Sequence, residues 1–308
     1  MSETNTAATA GFGDAEAYEQ IMGRWSRRLA PLLIRFGGLS DGEHLLDVGC
    51  GTGSLTFTFP EIANVASVTG IDPAESFVEF ARSRNTDPRI SFQTADARAL
   101  PFENDSFDRV FSMLVLQFIP DAARAVAEMR RVVRLGGTVA AAVWDNFGVP
   151  HDRWIADIAA VLDPSVDRKR LSRSLTVSNE MAELWRELGF QHVEQTSLLI
   201  RMEYSCFDDY WTPFTRGEGA LGQLVASLSD NNRSALTEHL WNAYLSSRPD
   251  GPRSIPCVAG PAGGTCQPNL RPQEGPISFA PSRLRRSRRS FRHSRHRSSD
   301  GDEPSSLR

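Results

Sequence analysis

The sequence contains no apolar run approaching the roughly 20 residues of a membrane-crossing helix. Its opening stretch, MSETNTAATAGFGDAEAYEQ, has no apolar segment long enough for a secretory leader. A cytoplasmic protein that does not span a membrane is therefore expected. Cysteine is scarce: Cys50, Cys206, Cys257 and Cys266 are scattered, with neither paired spacing nor a histidine at zinc-like distance. That pattern argues against a disulfide framework and a metal site, so reduced thiols and no bound metal are expected.

What is present is enough for a sizeable core. The chain has 308 residues, 40% hydrophobic and 23% charged, the balance of a globular protein with one large domain or one domain and a small addition. The net charge of −4 conceals a division: the segment 282–298, SRLRRSRRSFRHSRHRS, carries eight arginines and no acid, leaving about −12 elsewhere. Such a run is ordinarily a solvated tail; attraction to nucleic-acid phosphates is its less favoured reading.

Periodicity divides the chain further. Tyr18, Ile21, Met22, Trp25, Leu29, Leu32, Leu33 and Phe36 recur at helical spacing, predicting an amphipathic cap helix over 14–37 after a loose 1–13. Over 38–145, β-like runs (44–48, 65–71, 89–93, 107–114, 138–144) alternate with helical ones (54–62, 74–84, 121–133). Such alternation predicts a parallel sheet covered on both faces. Pro60, inside the first of these helices, should shorten or kink it. A looser region over 146–248 holds a helix near 179–188 capped by Ser178, a strand over 191–203, and two helical stretches that carry Leu221, Leu224, Val225 and Leu228, then Leu236, Leu240 and Tyr244, over the mouth of the sheet. From 249 to 308 the chain is rich in Pro, Gly and Arg, with no period able to bury a face, and a disordered tail is expected.

The first strand ends in LLDVGCGTGSLT, with glycine at 49, 51 and 53. In an open parallel sheet the first strand's turn is the usual ligand contact. Glycines there allow positive φ, let backbone N–H groups face a ligand, and precede a helix whose N-terminus points to the same place. This is a cradle for a nucleotide-like cofactor. A nicotinamide dinucleotide is disfavoured, because the fingerprint's third glycine is displaced by Ser54 and because Asp47 would repel a pyrophosphate. Asp47 suits a ligand bearing a positive group.

These segments, with VTGIDPAESFVEFAR, ISFQTADARALPFENDSFDRVFSMLVLQFIPD and RVVRLGGTVAAAVWD, resemble the class I S-adenosylmethionine-dependent methyltransferases. The likeness is to the small-molecule branch, the type 11 methyltransferase-domain family. It runs in order from Leu45 to Asp145 and more weakly from Tyr18 to Val258. It implies a Rossmann-like, doubly wound α/β fold: a seven-stranded, mostly parallel sheet with an N-terminal cap helix and a helical insertion. The last strand is left incomplete, since RSIPCVAG looks like its beginning and the likeness stops at Gly260; the remainder resembles translation in a shifted frame.

The resemblance also implies a site. Asp47, Gly49, Cys50 and Gly51 would hold the methionine portion of S-adenosylmethionine, Asp72 the ribose hydroxyls, and Pro73, Asp96 and Ala97 the adenine. Ser112, Met113 and Gln117 would form the floor beneath the sulfonium. Tyr18, Met22 and Trp25 lie on one helical stripe, and either plain core packing or cofactor contact would explain them. The absence of an Asn/Asp-Pro-Pro-Tyr type motif argues for a small-molecule acceptor. His151, otherwise an exposed loop histidine, and Asp145 are the candidate bases for an acceptor that must lose a proton. A nicotinamide-dependent oxidoreductase and a non-catalytic protein with a nucleic-acid-binding tail are the alternatives.

Overall fold

Continuously buried runs such as Leu45 to Val48 in His44–Val48 (β1), where Leu45, Leu46 and Val48 are all fully buried, mark strands covered on both faces. In the computed structural model, which describes residues 15–167 and 173–266 apart from the His151 side chain, β1 lies in the interior of the sheet. It pairs in parallel with β2 (Ser67–Asp72) on one side and β4 (Phe107–Met113) on the other. β3 (Ile90–Thr94) continues beyond β2, and β5 (Val133–Trp144) beyond β4. The chain thus leaves β1 in one direction and returns on its other side, opening a crevice at the carboxyl tips of β1 and β4.

Helices cover both faces. Leu29, Leu33 and Ile34 of α2 (Arg24–Gly37) join Phe111 and Ala140 in one core cluster. On the opposite face, Val126 and Met129 of α5 (Ala122–Val132) and Trp185 of α7 (Glu180–Glu187) join Val110 and Val139. The Trp185 indole N–H, fully buried, donates to the Val139 carbonyl at 3.3 Å. α4 (Glu75–Arg84) crosses between β2 and β3.

Several elements differ from expectation. The helix predicted over 54–62 is a 3-10 turn, Thr56–Thr58, followed by the four-residue α3 (Phe59–Ile62). Pro60 lies in its first turn, where a missing N–H breaks no intrahelical bond. The cap helix is divided into α1 (Ala15–Tyr18), a π-turn (Glu19–Gly23) and α2. α6 (Pro150–Leu162) occupies a segment read as irregular. Asn179, in the left-handed conformation, is the N-cap position of α7 in place of Ser178. The strand predicted over 191–203 breaks into β6 (Gln191–Gln195) and β7 (Leu198–Tyr204), which gives eight strands among the described residues where seven were expected. The helical cover beyond it consists of α8 (Phe207–Thr215), α9 (Gly219–Ser227) and α10 (Asp230–Leu245), one helix more than read.

The largest correction concerns residues expected to begin the tail. Arg253–Thr265 form β8, an antiparallel strand inserted between β5 and the β6/β7 edge. It continues past Gly260, pairing with β5 from Trp144↔Ala259 to Thr138↔Thr265, so the last strand is not incomplete. Pairing rescues a sequence of poor strand propensity. Gly260 and Pro261 fall opposite the break between β6 and β7, where that flank needs no ladder bond. At Gly264 a Cβ would meet Phe190 at 2.9 Å, so the backbone approaches the core too closely for a side chain. The arginine-rich segment 282–298 and the loose 1–13 lie outside the described residues.

Candidate active site

A cavity of about 670 Å³ opens at the crevice. Its cofactor-side wall comes from the tips of β1, β2 and β4, and the cap segment closes over it.

The glycine loop works differently from the sequence expectation. The Gly49 and Cys50 N–H groups both donate to the Ile71 carbonyl at 2.8 Å, the Gly51 N–H donates to Asp72 Oδ2 at 3.0 Å, and the Gly53 N–H donates to the Cys50 carbonyl at 2.9 Å. Four of the loop's N–H groups are thus spent on protein acceptors. Gly49 and Gly51 have positive φ (77° and 53°) and line the cavity. A Cβ on Gly49 would collide with Val115, whereas one on Gly51 would have only Phe77 nearby, at 3.9 Å, and would enter the open space. The loop therefore presents side-chain-free backbone to the cavity at Gly49 and Gly51 with four of its N–H groups already engaged, a poor match to a pyrophosphate. No long helix follows it, so the helix terminus expected to face the ligand is absent.

Asp72 is the organising acid. It is 7% exposed and lines the cavity. Besides Gly51, it accepts the Ala74 N–H at 2.9 Å through Oδ1. Burial pushes its pKa up to about 6, against the pull of these two hydrogen bonds. Each oxygen keeps a second lone pair for a ribose hydroxyl. Asp96 also lines the cavity, but both of its oxygens are engaged by the Arg98 guanidinium, whose hydrogen bonds hold its carboxyl below the usual range. Pro73, Ala97 and Met113 line the wall as expected. Gln117 does too: its Nε2 donates to the Leu114 carbonyl at 3.0 Å, and its buried Oε1 has no partner among the described residues.

Three expected contacts lie behind the wall. Asp47, 1% exposed, is drawn under the loop by the Thr56 hydroxyl, which donates to Oδ2 at 2.6 Å. Its Oδ1 has no partner among the described residues, and burial, with the charge of Asp72 adding to it, pushes its pKa up to about 7. Ser112, fully buried, donates to the Val48 carbonyl at 2.9 Å and ties β4 to β1. The Cys50 thiol is buried, and that burial raises its pKa, so it is no nucleophile.

Tyr18, Met22 and Trp25 all line the cavity. Tyr18 packs on Phe77 with ring centroids 5.5 Å apart, and Trp25 meets Tyr204 edge-on at 5.3 Å while the Arg24 guanidinium covers its face at 4.2 Å. Asp145 reaches the cavity, although its Oδ1 accepts the Phe147 N–H at 2.7 Å. The backbone of His151 lies in the first turn of α6; its side chain is outside the described residues.

Of the far wall, only the helical cover that carries Leu221 was foreseen. Val149, Asp152 and Arg153 at the start of α6, Met202 and Tyr204 of β7, Phe214 of α8 and Leu221 of α9 face the same space. Asp152 adds to the effect of burial in raising the pKa values of Tyr204, Tyr210 and Cys257, so its charge lies toward the aromatic end. The available signal was Pro150 at the first helical position, followed by apolar Ile155, Ile158, Ala159 and Leu162 at helical spacing.

An open α/β sheet with a donor-poor glycine loop and an acid at the tip of its second strand defines a site for adenosine joined to a cationic group. Residues 46–141 match the family described as Methyltransferase domain. The chain is 35% identical to the ubiquinone/menaquinone biosynthesis C-methyltransferase UbiE of Paracoccus denitrificans over 51% of its own length and 70% of that protein's. It is 37% identical to the 27-O-demethylrifamycin SV methyltransferase of Amycolatopsis mediterranei over 42% of its length and 48% of that protein's. In fold it resembles phosphoethanolamine N-methyltransferase 2 of Haemonchus contortus, solved with S-adenosyl-L-methionine, at a TM-score of 0.52 and 21% identity, covering 82% of this chain and 57% of that one. The chain belongs to the class I S-adenosylmethionine-dependent methyltransferases, and S-adenosylmethionine is its cofactor. The oxidoreductase and non-catalytic alternatives fall with that membership.

Proposed function

We propose that the protein methylates a small, largely apolar molecule held beside the cofactor. The observation that carries this reading is the composition of the cavity beyond the cofactor wall, where Trp144, Val149, Met202, Tyr204, Phe214 and Leu221 surround the space and α6, α8 and α9 cover it. A site of this size and lining can enclose one small ligand. The C-methyltransferase and the 27-O-demethylrifamycin SV methyltransferase that the chain resembles are named for small-molecule products or substrates, which supports the same reading.

When bound, the cofactor supplies a methyl group already activated on a sulfonium. The residues fit it: Asp72 for the ribose, Gly49 and Gly51 with the buried charge of Asp47 for the methionine end, Pro73, Asp96 and Ala97 for the adenine, and Met113 and Gln117 toward the acceptor. What remains for the protein is to hold an electron-rich atom in line, with water excluded. The aromatic wall and the cap segment do this. An O–H or acidic C–H acceptor must also lose a proton, and Asp145 and His151, joined by Asp152, which also lines the cavity, are proposed to take it.

The test is incubation of the protein with methyl-labelled S-adenosylmethionine and metabolite, RNA and protein fractions from cells. Label in an organic-extractable small molecule is expected. Label confined to RNA or protein would refute the reading.

A further inference from the structure

The π-turn of the cap segment holds one carboxylate, that of Glu19, against the glycine loop. A π-turn such as Glu19–Gly23 rotates the helix face that follows it and is often found at functional sites. Here its first residue, Glu19, has a largely buried side chain. The Thr52 hydroxyl donates to Glu19 Oε1 at 2.5 Å, Arg27 donates to Oε2 at 2.5 Å, and the Arg84 guanidinium of α4 lies 3.8 Å away. Thr52, 1% exposed, stands between Gly51 and Gly53 in the loop that shapes the cofactor wall. Gly23 completes the seat. A Cβ there would lie 2.5 Å from the Glu19 carboxylate, although the φ of −53° is ordinary helix. The position is glycine for space, not for backbone freedom.

We infer that Glu19 is a positioning residue that fastens the cap segment to the glycine loop and sets how long the cofactor stays bound. It does not line the cavity and acts through its neighbours Tyr18 and Met22, which do. The two guanidiniums offset the charge it brings, and the charge-assisted bond to Thr52 joins lid to loop. The inference rests on the cofactor assignment and is independent of the acceptor.

The experiment follows release of S-adenosylhomocysteine from the full-length protein by stopped-flow tryptophan fluorescence, since Trp25 and Trp144 line the cavity. Glu19→Ala is expected to speed release about tenfold or more, the worth of a hydrogen bond to a charged group. Thr52→Val should do the same from the loop side, and it carries the test if Glu19→Ala does not fold. Gly23→Ala separates this account from a purely structural one. Alanine favours a helix interior over glycine, so a structural role predicts unchanged or slower release. The present inference predicts faster release, because the methyl group displaces the carboxylate. In a Glu19→Ala background the methyl has room, and adding Gly23→Ala should leave the rate unchanged. Unaltered release in Glu19→Ala or Thr52→Val, or an undiminished Gly23→Ala effect in the double variant, would overturn the inference. Failure of the folded wild-type protein to bind S-adenosylhomocysteine would instead overturn the cofactor assignment on which it rests.

Discussion

Replacing Asp47 by Asn should stabilise the ligand-free protein, and increasingly so as the pH rises. The carboxylate is 1% exposed, with Thr56 bonded to one oxygen and nothing among the described residues to the other. Burial lifts its pKa from the ordinary 3.8 to about 7. The folded state therefore binds this proton more tightly than the unfolded chain does. The stability that the proton contributes is fully present below about pH 4 and is lost as the pH rises to about 7. At about 1.4 kcal/mol per pH unit, the loss amounts to about 4 kcal/mol. The amide of the Asp47→Asn variant cannot ionise, and its carbonyl can still accept from Thr56. Urea unfolding of both proteins from about pH 5 to about pH 8.5 should show the difference in stability opening toward about 4 kcal/mol in favour of the variant. For a domain of this size that corresponds to about 10 °C in melting temperature. A bound cationic cofactor favours the ionised form, so wild-type binding near pH 7 should release protons, measurable by calorimetry in buffers of different ionisation enthalpy. A stability difference that stays flat across this range would show that Asp47 does not hold a raised pKa, and the account of a charge waiting beneath the loop would fail.

Other outcomes follow from the same site. Asp72→Asn sets an amide N–H₂ against the Gly51 or Ala74 N–H and removes a ribose acceptor. Affinity for S-adenosylhomocysteine, read by calorimetry, should fall about 100-fold. Because the pKa of Asp72 is raised to about 6, wild-type affinity should also weaken as the pH falls through that value. Gly51→Ala forces a side chain into φ 53° and toward open cavity; it should cost about 1 kcal/mol of stability and a larger share of cofactor binding. A chain ending after Gly260 removes the β8 partners of Thr138–Ala142 and exposes a central strand edge, so it should aggregate on expression. One ending after Cys266 keeps every one of those pairs and should not aggregate in that way.

The places of the parallel strands along the chain were legible because each holds a short apolar or alternating run bounded by turn residues. His44–Val48, Ile90–Thr94 and Phe107–Met113 agree with the reading to within a residue at each end. The family motifs were local in the same sense, since a glycine bend and the acid at the next strand's tip are set by residues close in sequence. By itself, then, the sequence determined the α/β class, the strand around which the sheet is wound, and the acids and glycines gathered at its tip. Four things were decided only by tertiary structure. β8 exists because two long-range neighbours pair with a segment whose own Pro and Gly content argues against a strand. The N–H groups of Gly49, Cys50 and Gly51 are directed to Ile71 and Asp72, twenty or so residues away, and so are not free for the ligand as an isolated glycine loop suggests. The acceptor wall brings together α6, β7, α8 and α9, and the seat of Glu19 joins the cap to Thr52 and Arg84. In each case the partner is remote along the chain, and hydrogen-bond direction and burial are properties of that partner as much as of the residue itself.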